Sequence, residues 1–270
     1  MTTTLLEPPP APTLAPLFDA AELAQFQRDG YVIARGLTAA PLRERMLELT
    51  RRHLAAAVEP IEFEADLQYP GAPTSREAVG GRTVRRLKQA HSRDFVFTEW
   101  LIQPDLLGRI RQLLGPQVVV PLAHHNCLMT KQPHHSSRTG WHQDIRYWSF
   151  ERPELVSVWL ALGREHEANG CLNLVPGTHR MSFESGRFDE ALFLRPDLPE
   201  NQALAAAAVP AELEPGDVLF FHCRTFHAAG QNQTGDPKFS VVFTFRPLDN
   251  HPLPGSRSAS LPELLIPPAS

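Results

Sequence analysis

The stretch Trp141-His142-Gln143-Asp144 places a histidine and an aspartate two positions apart, and a second histidine follows far downstream in Phe226-His227-Ala228-Ala229-Gly230. On an extended strand, the side chains of His142 and Asp144 leave the same face. A sheet that folds back brings a distant histidine such as His227 to the same point. Two imidazoles and one carboxylate form a facial triad, which binds Fe(II) and leaves other coordination positions open. The pattern therefore predicts a metal site inside a rolled β-structure.

The chain on both sides of this stretch has the texture of short strands. Apolar or alternating runs separated by Pro, Gly and Asn are typical of β-structure, and they cover residues 118–120, 126–130, 155–162, 171–175, 217–221 and 240–245. The first third differs, with helices predicted over 18–30, 41–58 and 97–114, a strand over 31–34 and a loop over 68–82. The sequence predicts an α+β fold with a mainly β core, a barrel backed by N-terminal helices.

The predicted organisation is one domain with a tail at each end. Residues 18–249 form this domain, helical over 18–115 and a β-barrel over 116–249. The proline-rich residues 1–17 are predicted to be a flexible tail, and residues 250–270 are either a tail or an arm that lies over the barrel.

Charge and cysteine content limit the partners and the compartment. A net charge of −4 gives no electrostatic reason to expect nucleic acid or an anionic membrane surface as a partner. No window approaches the ~18 apolar residues of a membrane span. Cys127, Cys171 and Cys223 are far apart and form no CxxC pair, so neither a disulfide framework nor a zinc knuckle is indicated. We expect a cytoplasmic protein that acts on a small molecule, either as a monomer or as a homodimer.

Two late histidines compete for the third ligand position. His222 and His227 are separated by an odd number of positions, so on one straight strand they face opposite sides and only one of them points inward. The residues alone leave both open. The remaining pairs, His124-His125 and His134-His135, are interpreted as structural or solvated.

Four blocks of the chain resemble the phytanoyl-CoA dioxygenase family, and the resemblance extends in order over residues 18–247. The blocks are His142-Gln143-Asp144-Ile145-Arg146-Tyr147, Asn169-Gly170-Cys171-Leu172, Val175-Pro176-Gly177-Thr178-His179-Arg180 and Gly216-Asp217-Val218-Leu219-Phe220-Phe221-His222. The resemblance implies an Fe(II)- and 2-oxoglutarate-dependent oxygenase on a double-stranded β-helix, a jelly-roll or cupin-like barrel. It also implies that His227 is the distal ligand, because the family's distal histidine precedes a small-residue Gly-Gln-Asn turn.

The same resemblance implies where the co-substrate binds. In the family, an arginine eleven positions after the distal histidine holds the far carboxylate of 2-oxoglutarate, and this chain has Lys238 there. A lysine keeps the charge but lacks the two-pronged geometry of arginine, and a solvated turn residue is the alternative interpretation. Ala229 replaces a frequent hydroxyl residue, for which Ser240 is a candidate substitute. The other positions implied to lie near the co-substrate are Gln143, Trp159, Cys127 and Lys88.

The predicted activity is hydroxylation of an unactivated C–H bond in a small molecule. Fe(II) is the catalytic metal, 2-oxoglutarate and O2 are consumed, succinate and CO2 are released, and ascorbate is supportive. Acyl-CoA-like, amino-acid-like and natural-product substrates are all compatible with the resemblance. A carboxylate at 144 disfavours halogenation, whereas desaturation, epimerisation and ring formation stay open. The alternatives are a catalytically silent metal-binding barrel and a cupin-like metalloenzyme that does not use 2-oxoglutarate. Substrate anions have candidate partners in Arg82, Arg85, Arg86, His179 and Arg180.

Overall fold

A computed structural model describes residues 17–67 and 69–267 of the chain. Apart from Leu17, the stretch predicted to be a proline-rich tail lies outside the described residues. None of the helices in the described ranges is long and apolar enough to cross a membrane.

The first helix is delimited by its capping residues. Helix α1 covers Ala20–Asp29, and the Asp19 side chain accepts a hydrogen bond from the Glu22 backbone while the Glu22 side chain accepts one from Asp19. This capping box satisfies amide groups that the helix itself leaves unpaired. At the other end, Gly30 adopts φ 80°, the left-handed conformation that favours glycine at a helix terminus. The predicted helix and the following strand β1, Tyr31–Ala34, are both present.

The other helices cover Ala40–Ala55 (α2), Ala90–Arg93 (α3), Phe95–Leu101 (α4), Pro104–Leu114 (α5) and Pro199–Ala206 (α6). The single helix predicted over 97–114 is therefore wrong, since two helices occupy this region. Pro104 explains the break, because proline disfavours helical geometry in the residue before it. Gln103 accordingly has an extended backbone, and Pro104 then opens α5.

The stretch predicted to be helical up to residue 115 also contains two strands that the sequence did not reveal. They are β2, Ile61–Phe63, and β3, Val84–Lys88, which pair with each other. Three of the five residues of β3 are charged, namely Arg85, Arg86 and Lys88. Its pattern is therefore not that of an apolar strand.

The remaining strands build two antiparallel sheets. They are β4 Val118–Pro121, β5 Asn126–Lys131, β6 Thr139–His142, β7 Val156–Ala161, β8 Leu172–Leu174, β9 Val209–Pro210, β10 Val218–His222, β11 His227–Ala229, β12 Lys238–Pro247 and β13 Glu263–Leu265. The large sheet has the order β1-β10-β7-β12-β5-β3-β2, with β4 beside β12 and β13 beside β4, and the small sheet has the order β6-β11-β8-β9. The expected α+β architecture with a β core is confirmed. In the C-terminal segment, β13 pairs with β4 and thereby adds a strand to the large sheet.

Both faces of the large sheet are buried around its central strands, so β7 and β10 read as nearly continuous apolar runs. One face packs on the helices, where Phe97 and Trp100 of α4 meet Phe220 and Phe243. The other face turns toward the small sheet and contributes Trp159, Leu219 and Val242 to a second cluster. Because side chains alternate along a strand, Lys238 and Ser240 on β12 share the inward face with Val242. The fold therefore directs two polar side chains between the sheets.

Candidate active site

The two predicted histidine ligands are neighbours across an antiparallel ladder. His142 ends β6 and His227 begins β11, and the two are directly paired Cα partners with ring centroids 4.2 Å apart. The spacing of His142 and Asp144 led us to expect both on one extended strand. Asp144 instead opens a short 3₁₀ helix, Asp144–Tyr147. One ligand atom from each of the three residues lies within 4.8 Å of the others. The structure thus brings the predicted triad together.

Backbone carbonyl groups orient both imidazoles. Nδ1 of His142 donates to the Gly140 carbonyl at 2.9 Å, and Nδ1 of His227 donates to the Thr225 carbonyl at 3.0 Å. The Nε2 atoms consequently turn toward Oδ1 of Asp144, at 3.8 Å from His142 and 3.5 Å from His227. Burial lowers the pKa of both histidines below the ordinary value. Neutral imidazoles with a fixed tautomer are the form that ligates a metal.

Hydrogen bonds also orient the carboxylate of Asp144. Ser157 donates to its Oδ2 at 3.0 Å, which leaves Oδ1 facing the imidazoles. Burial alone would raise the pKa of this carboxyl, but the charge and hydrogen bond of His125, first among its histidine neighbours, hold it well below its usual range. The donor set is therefore two neutral imidazoles and one ionised carboxylate, which fits Fe(II) with open coordination positions.

His125 is a site residue that the sequence interpretation missed. Its Nε2 donates to Oδ1 of Asp144 at 3.1 Å, so it is neither solvated nor remote from the triad. Burial opposes its protonation, yet the charge of Asp144 raises the pKa of His125 to about 9. No spacing rule distinguishes His125 from its neighbour His124, which instead bonds to Ser258.

A cavity extends from the triad between the two sheets. Its walls include Trp159, Leu172 and Ala229, and Lys238 and Lys131 also line it. Lys238 is only 5% exposed, so the alternative of a solvated turn residue is wrong. Trp159 belongs to the core cluster between the sheets and also forms part of the cavity wall.

Lys238 has a buried carboxylate partner. Its Nζ lies 2.8 Å from Oε2 of Glu165, and both side chains are almost fully buried. Trp159 donates from Nε1 to the same carboxylate at 3.0 Å, and Ser240 donates from Oγ at 2.6 Å. Ser240 therefore binds Glu165, and its expected substitution for a hydroxyl at position 229 stays a prediction. The binding of 2-oxoglutarate by Lys238 likewise stays a prediction.

Lys131 is the second lysine of the cavity, and the sequence interpretation did not single it out. It ends β5 directly opposite Lys238 on β12, as its Cα partner in the ladder. Register could have revealed it only with longer strands and a known pairing, since the predicted strands cover 126–130 and 240–245 and their pairing was not predicted. Arg86 also lines the cavity and lies 3.2 Å from Glu62.

Three further residues expected near the co-substrate are not brought to the cavity wall. Lys88 is exposed at the end of β3. Cys127 is buried on β5, beside His125. Gln143 turns away, since its Nε2 donates to the Arg224 carbonyl. Their roles toward the co-substrate stay predictions that the cavity lining does not support.

The other candidate residues lie apart from the triad, although Arg85 lines the same cavity. His222 packs against His179, with ring centroids 5.4 Å apart, which agrees with its structural interpretation. Arg180 is exposed and donates to the Arg28 carbonyl. Arg85 is buried against Glu64, with Nη1 and Oε2 3.2 Å apart, and Arg82 is exposed.

The chain is similar to one protein family and to several characterised dioxygenases. The family model described as phytanoyl-CoA dioxygenase (PhyH) matches residues 26–240. Ectoine dioxygenase of Halomonas elongata is 28% identical over 247 residues, which is 86% of this chain and 70% of that protein. Human peroxisomal phytanoyl-CoA dioxygenase is 30% identical over 159 residues, and the match covers 55% of this chain but only 45% of the human protein.

Solved structures support the fold. EctD from S. alaskensis, solved with 2-oxoglutarate and 5-hydroxyectoine, superposes with a TM-score of 0.72 at 22% identity, over 87% of this chain and 78% of that chain. The epimerase SnoN, solved with Fe3+, alpha ketoglutarate and nogalamycin RO, gives a TM-score of 0.69 at 21% identity, over 93% and 94% of the two chains. The expected double-stranded β-helix is thereby confirmed.

Proposed function

Since this chain belongs to the phytanoyl-CoA dioxygenase family of iron- and 2-oxoglutarate-dependent oxygenases, we propose that it hydroxylates an unactivated C–H bond of a small molecule and releases succinate and CO2. The observation that carries the proposal is the triad of His142, Asp144 and His227, whose two histidines line a cavity between the sheets. A catalytic metal site needs coordination positions that the protein leaves open and that face a space in which ligands can bind.

The cavity offers both features that a keto dicarboxylic acid requires. The triad end accepts a metal ion to which the keto-acid group can chelate, and the far end holds the ammonium groups of Lys131 and Lys238. Leu172 and Ala229 provide apolar wall between the two ends. This arrangement supports 2-oxoglutarate as the co-substrate and opposes the two alternatives without it.

The protein's contribution to the reaction is positional. Iron and 2-oxoglutarate, when bound, supply the oxidising power for C–H cleavage. His142, Asp144 and His227 fix the metal, while the buried walls exclude water and hold the co-substrate in one orientation. The carbonyl groups of Gly140 and Thr225 keep the two imidazoles in the ligating tautomer.

The substrate is proposed to bind beside His142, against an aromatic and cationic wall. The ring of Phe193 lies 5.6 Å from the His142 ring, and the Arg146 guanidinium lies 3.6 Å above Phe193. Tyr69 meets the same phenyl ring edge-on at 5.4 Å. We expect Phe193→Ala to leave Fe(II) and 2-oxoglutarate binding intact while it weakens substrate binding. A loss of 2-oxoglutarate binding in this variant would assign Phe193 to the co-substrate instead.

Succinate formation tests the proposed function before any substrate is known. Purified protein is incubated with Fe(II), ascorbate, O2 and 2-oxoglutarate, and slow formation of succinate without substrate is expected. Asp144→Ala should reduce it to the background rate, while the matched control His222→Gln should not. Bound iron without any consumption of 2-oxoglutarate would contradict the proposal and favour a catalytically silent barrel.

A further inference from the structure

The guanidinium group of Arg146 is stacked on aromatic rings beside the triad. Arg146 belongs to the 3₁₀ turn that Asp144 opens. Its guanidinium carbon lies 3.6 Å from the centre of the Phe193 ring and 4.2 Å from that of Tyr147. The Phe193 ring in turn packs edge-on against His142. One aromatic ring therefore separates this positive charge from a ligand of the metal.

One edge of this guanidinium group has no partner among the described residues. Nη1 donates to the carbonyl group of Ala191 at 2.9 Å. Nε and Nη2 are buried, and no hydrogen-bond acceptor in the described part of the chain reaches them. Burying charged donors without acceptors costs free energy. Holding the segment around Ala191 needs Nη1 alone, so a structural role leaves the edge formed by Nε and Nη2 unexplained.

The acidic side chains nearby are engaged elsewhere. Those whose charges act on Arg146 are Asp144 and Asp189. Asp144 is held by His125 and Ser157, and Oδ1 of Asp189 accepts hydrogen bonds from two backbone amides of its own loop. Within the described ranges, no carboxylate lies within salt-bridge distance of Arg146. Because a guanidinium group does not lose its proton in proteins, one positive charge stays uncompensated here.

Two other arginines of this protein show what such an edge binds. Nε and Nη2 of Arg28 lie 3.0 and 2.6 Å from the two carboxylate oxygens of Asp29. The same two atoms of Arg76 lie 2.6 and 2.9 Å from those of Asp66. This two-pronged contact combines charge with matched geometry. Arg146 presents the same pair of nitrogens beside the triad.

We propose that Arg146 binds a carboxylate of the substrate through Nε and Nη2, and that the substrate is therefore a carboxylic acid with an apolar or aromatic body. The inference rests on the proposed function, because it names the substrate class of the same site. The rings of Phe193 and Tyr69, which meet edge-on beside His142, supply a surface for that body. A neutral molecule lacks the group that the edge of Arg146 requires.

Binding requires a small rearrangement, because protein atoms cover Nε and Nη2. The rings of Phe193 and Tyr147 lie on the guanidinium group. Tyr147 is 42% exposed and Phe193 is half-buried, so either ring has room to turn toward solvent. A carboxylate that enters at this edge supplies the two missing acceptors.

Calorimetry under argon on the protein loaded with Fe(II) and 2-oxoglutarate measures binding at the substrate site, because the co-substrate already takes up the metal and the buried lysines. The probes are phenylacetate, 3-phenylpropanoate and 4-phenylbutanoate, whose rings suit the aromatic wall. Each acid is compared with its primary amide, which has nearly the same shape but no charge. We expect at least one acid to bind, and to bind about tenfold or more tightly than its amide.

Variants separate a binding role from a structural one. Arg146→Gln should remove the preference, so that acid and amide bind equally, while retained affinity for 2-oxoglutarate shows that the triad is intact. Arg146→Lys keeps the charge without the two-pronged geometry, so the preference should shrink but persist. Arg180→Gln is the matched control, since it removes the charge of an exposed arginine and should leave the preference unchanged.

A spectroscopic measurement on the wild type does not depend on how the variants fold. The protein is labelled with 15N in arginine and loaded with diamagnetic Zn(II) and 2-oxoglutarate. The acid that binds should move the Nε–H proton resonance of Arg146, assigned by through-bond experiments, downfield, because a charged acceptor then binds this group. Its amide should not produce this shift.

The outcomes distinguish the substrate class from the proposed function. Binding of none of the acids, equal binding of acid and amide, an unchanged preference in Arg146→Gln or an unmoved Nε–H resonance would overturn the role of Arg146 and leave the proposed function standing. If the wild-type protein bound no 2-oxoglutarate, the proposed function would fail and the inference would fail with it.

Discussion

His142 and His227 are direct partners in the ladder between β6 and β11, so the backbone register of the small sheet sets the separation of the two imidazoles. Carbonyl groups two residues before each histidine, at Gly140 and Thr225, then fix both rings in the same manner. Asp144 completes the triangle from the turn that follows β6. Backbone hydrogen bonds thus orient both histidine side chains for metal binding.

Metal binding should stabilise the folded protein through the triad alone. A ligand that binds only the native state adds about 2.7 kcal/mol to the free energy of unfolding when its free concentration is a hundred times Kd. We expect Fe(II), added anaerobically, to raise Tm in the wild type but not in His142→Ala or Asp144→Ala. His222→Gln is the control and should respond as the wild type does. A full Fe(II) response in Asp144→Ala would place the metal elsewhere.

The buried pair of Glu165 and Lys238 should be strongly coupled in stability. Glu165→Gln removes the partner of a buried ammonium group, and such losses cost about 3–5 kcal/mol. In a double-mutant cycle with Lys238→Met, we expect a coupling of about 1–3 kcal/mol in the free energy of unfolding. The exposed pair of Arg195 and Asp197 is the control, in which no measurable coupling is expected. Additive losses at 165 and 238 would refute the interaction.

The resemblance placed Lys238 in the co-substrate pocket, but the sequence did not single out Lys131, and both lysines lie outside the strands predicted over 126–130 and 240–245. Alternation along β12 separates Lys238 and Ser240 from Phe239 and Val241, but it does not say which set faces the cavity. Register between distant strands decides that Lys131 lies opposite Lys238, and register depends on the whole sheet. The helices cover one face of the large sheet, and the side chains that point toward them are apolar. The polar side chains of β12 therefore lie on the opposite face.

Two ligands of the triad were predictable because a histidine and an aspartate two positions apart indicate a metal site, and the resemblance to the family then selected His227 over His222. Asp144 shows the limit of the argument, since its same-face position arises from a 3₁₀ turn and not from a continued strand. Glu165 and His125 were missed for a different reason. A single acid in a loop and one of twelve histidines carry no pattern until the fold places them.

Acid should destabilise the protein partly through His222. Burial, followed by the charges of His179 and Arg224, lowers the pKa of His222 to about 4. The unfolded chain, with an ordinary histidine pKa, binds more protons between these values, so stability falls as the pH drops from about 6.5 toward 4. Between pH 7 and pH 5 the contribution is about 2 kcal/mol. In urea unfolding without added metal, His222→Gln should show a correspondingly smaller loss, and an identical pH dependence would contradict the assignment.

Gly170 should tolerate no side chain, because of where it approaches the cavity. Its φ is 76°, and an added Cβ would lie 2.7 Å from the Gly230 carbonyl and 2.8 Å from Cδ of Lys131. We expect Gly170→Ala to cost about 1–3 kcal/mol in the free energy of unfolding and to weaken 2-oxoglutarate binding by displacing Lys131. Gly163→Ala is the matched control in the same connection, since nothing lies within 4 Å of its Cβ position. Equal stability of the two variants would argue against this contact.

The central claim is that His142, Asp144 and His227 together hold one iron ion. Anomalous diffraction at the iron edge, from crystals grown anaerobically with Fe(II), locates the ion directly. The account predicts a single site bonded to Nε2 of both histidines and to Oδ1 of Asp144 at distances of about 2.0–2.2 Å. Iron bound without His227, or at another site, would contradict it.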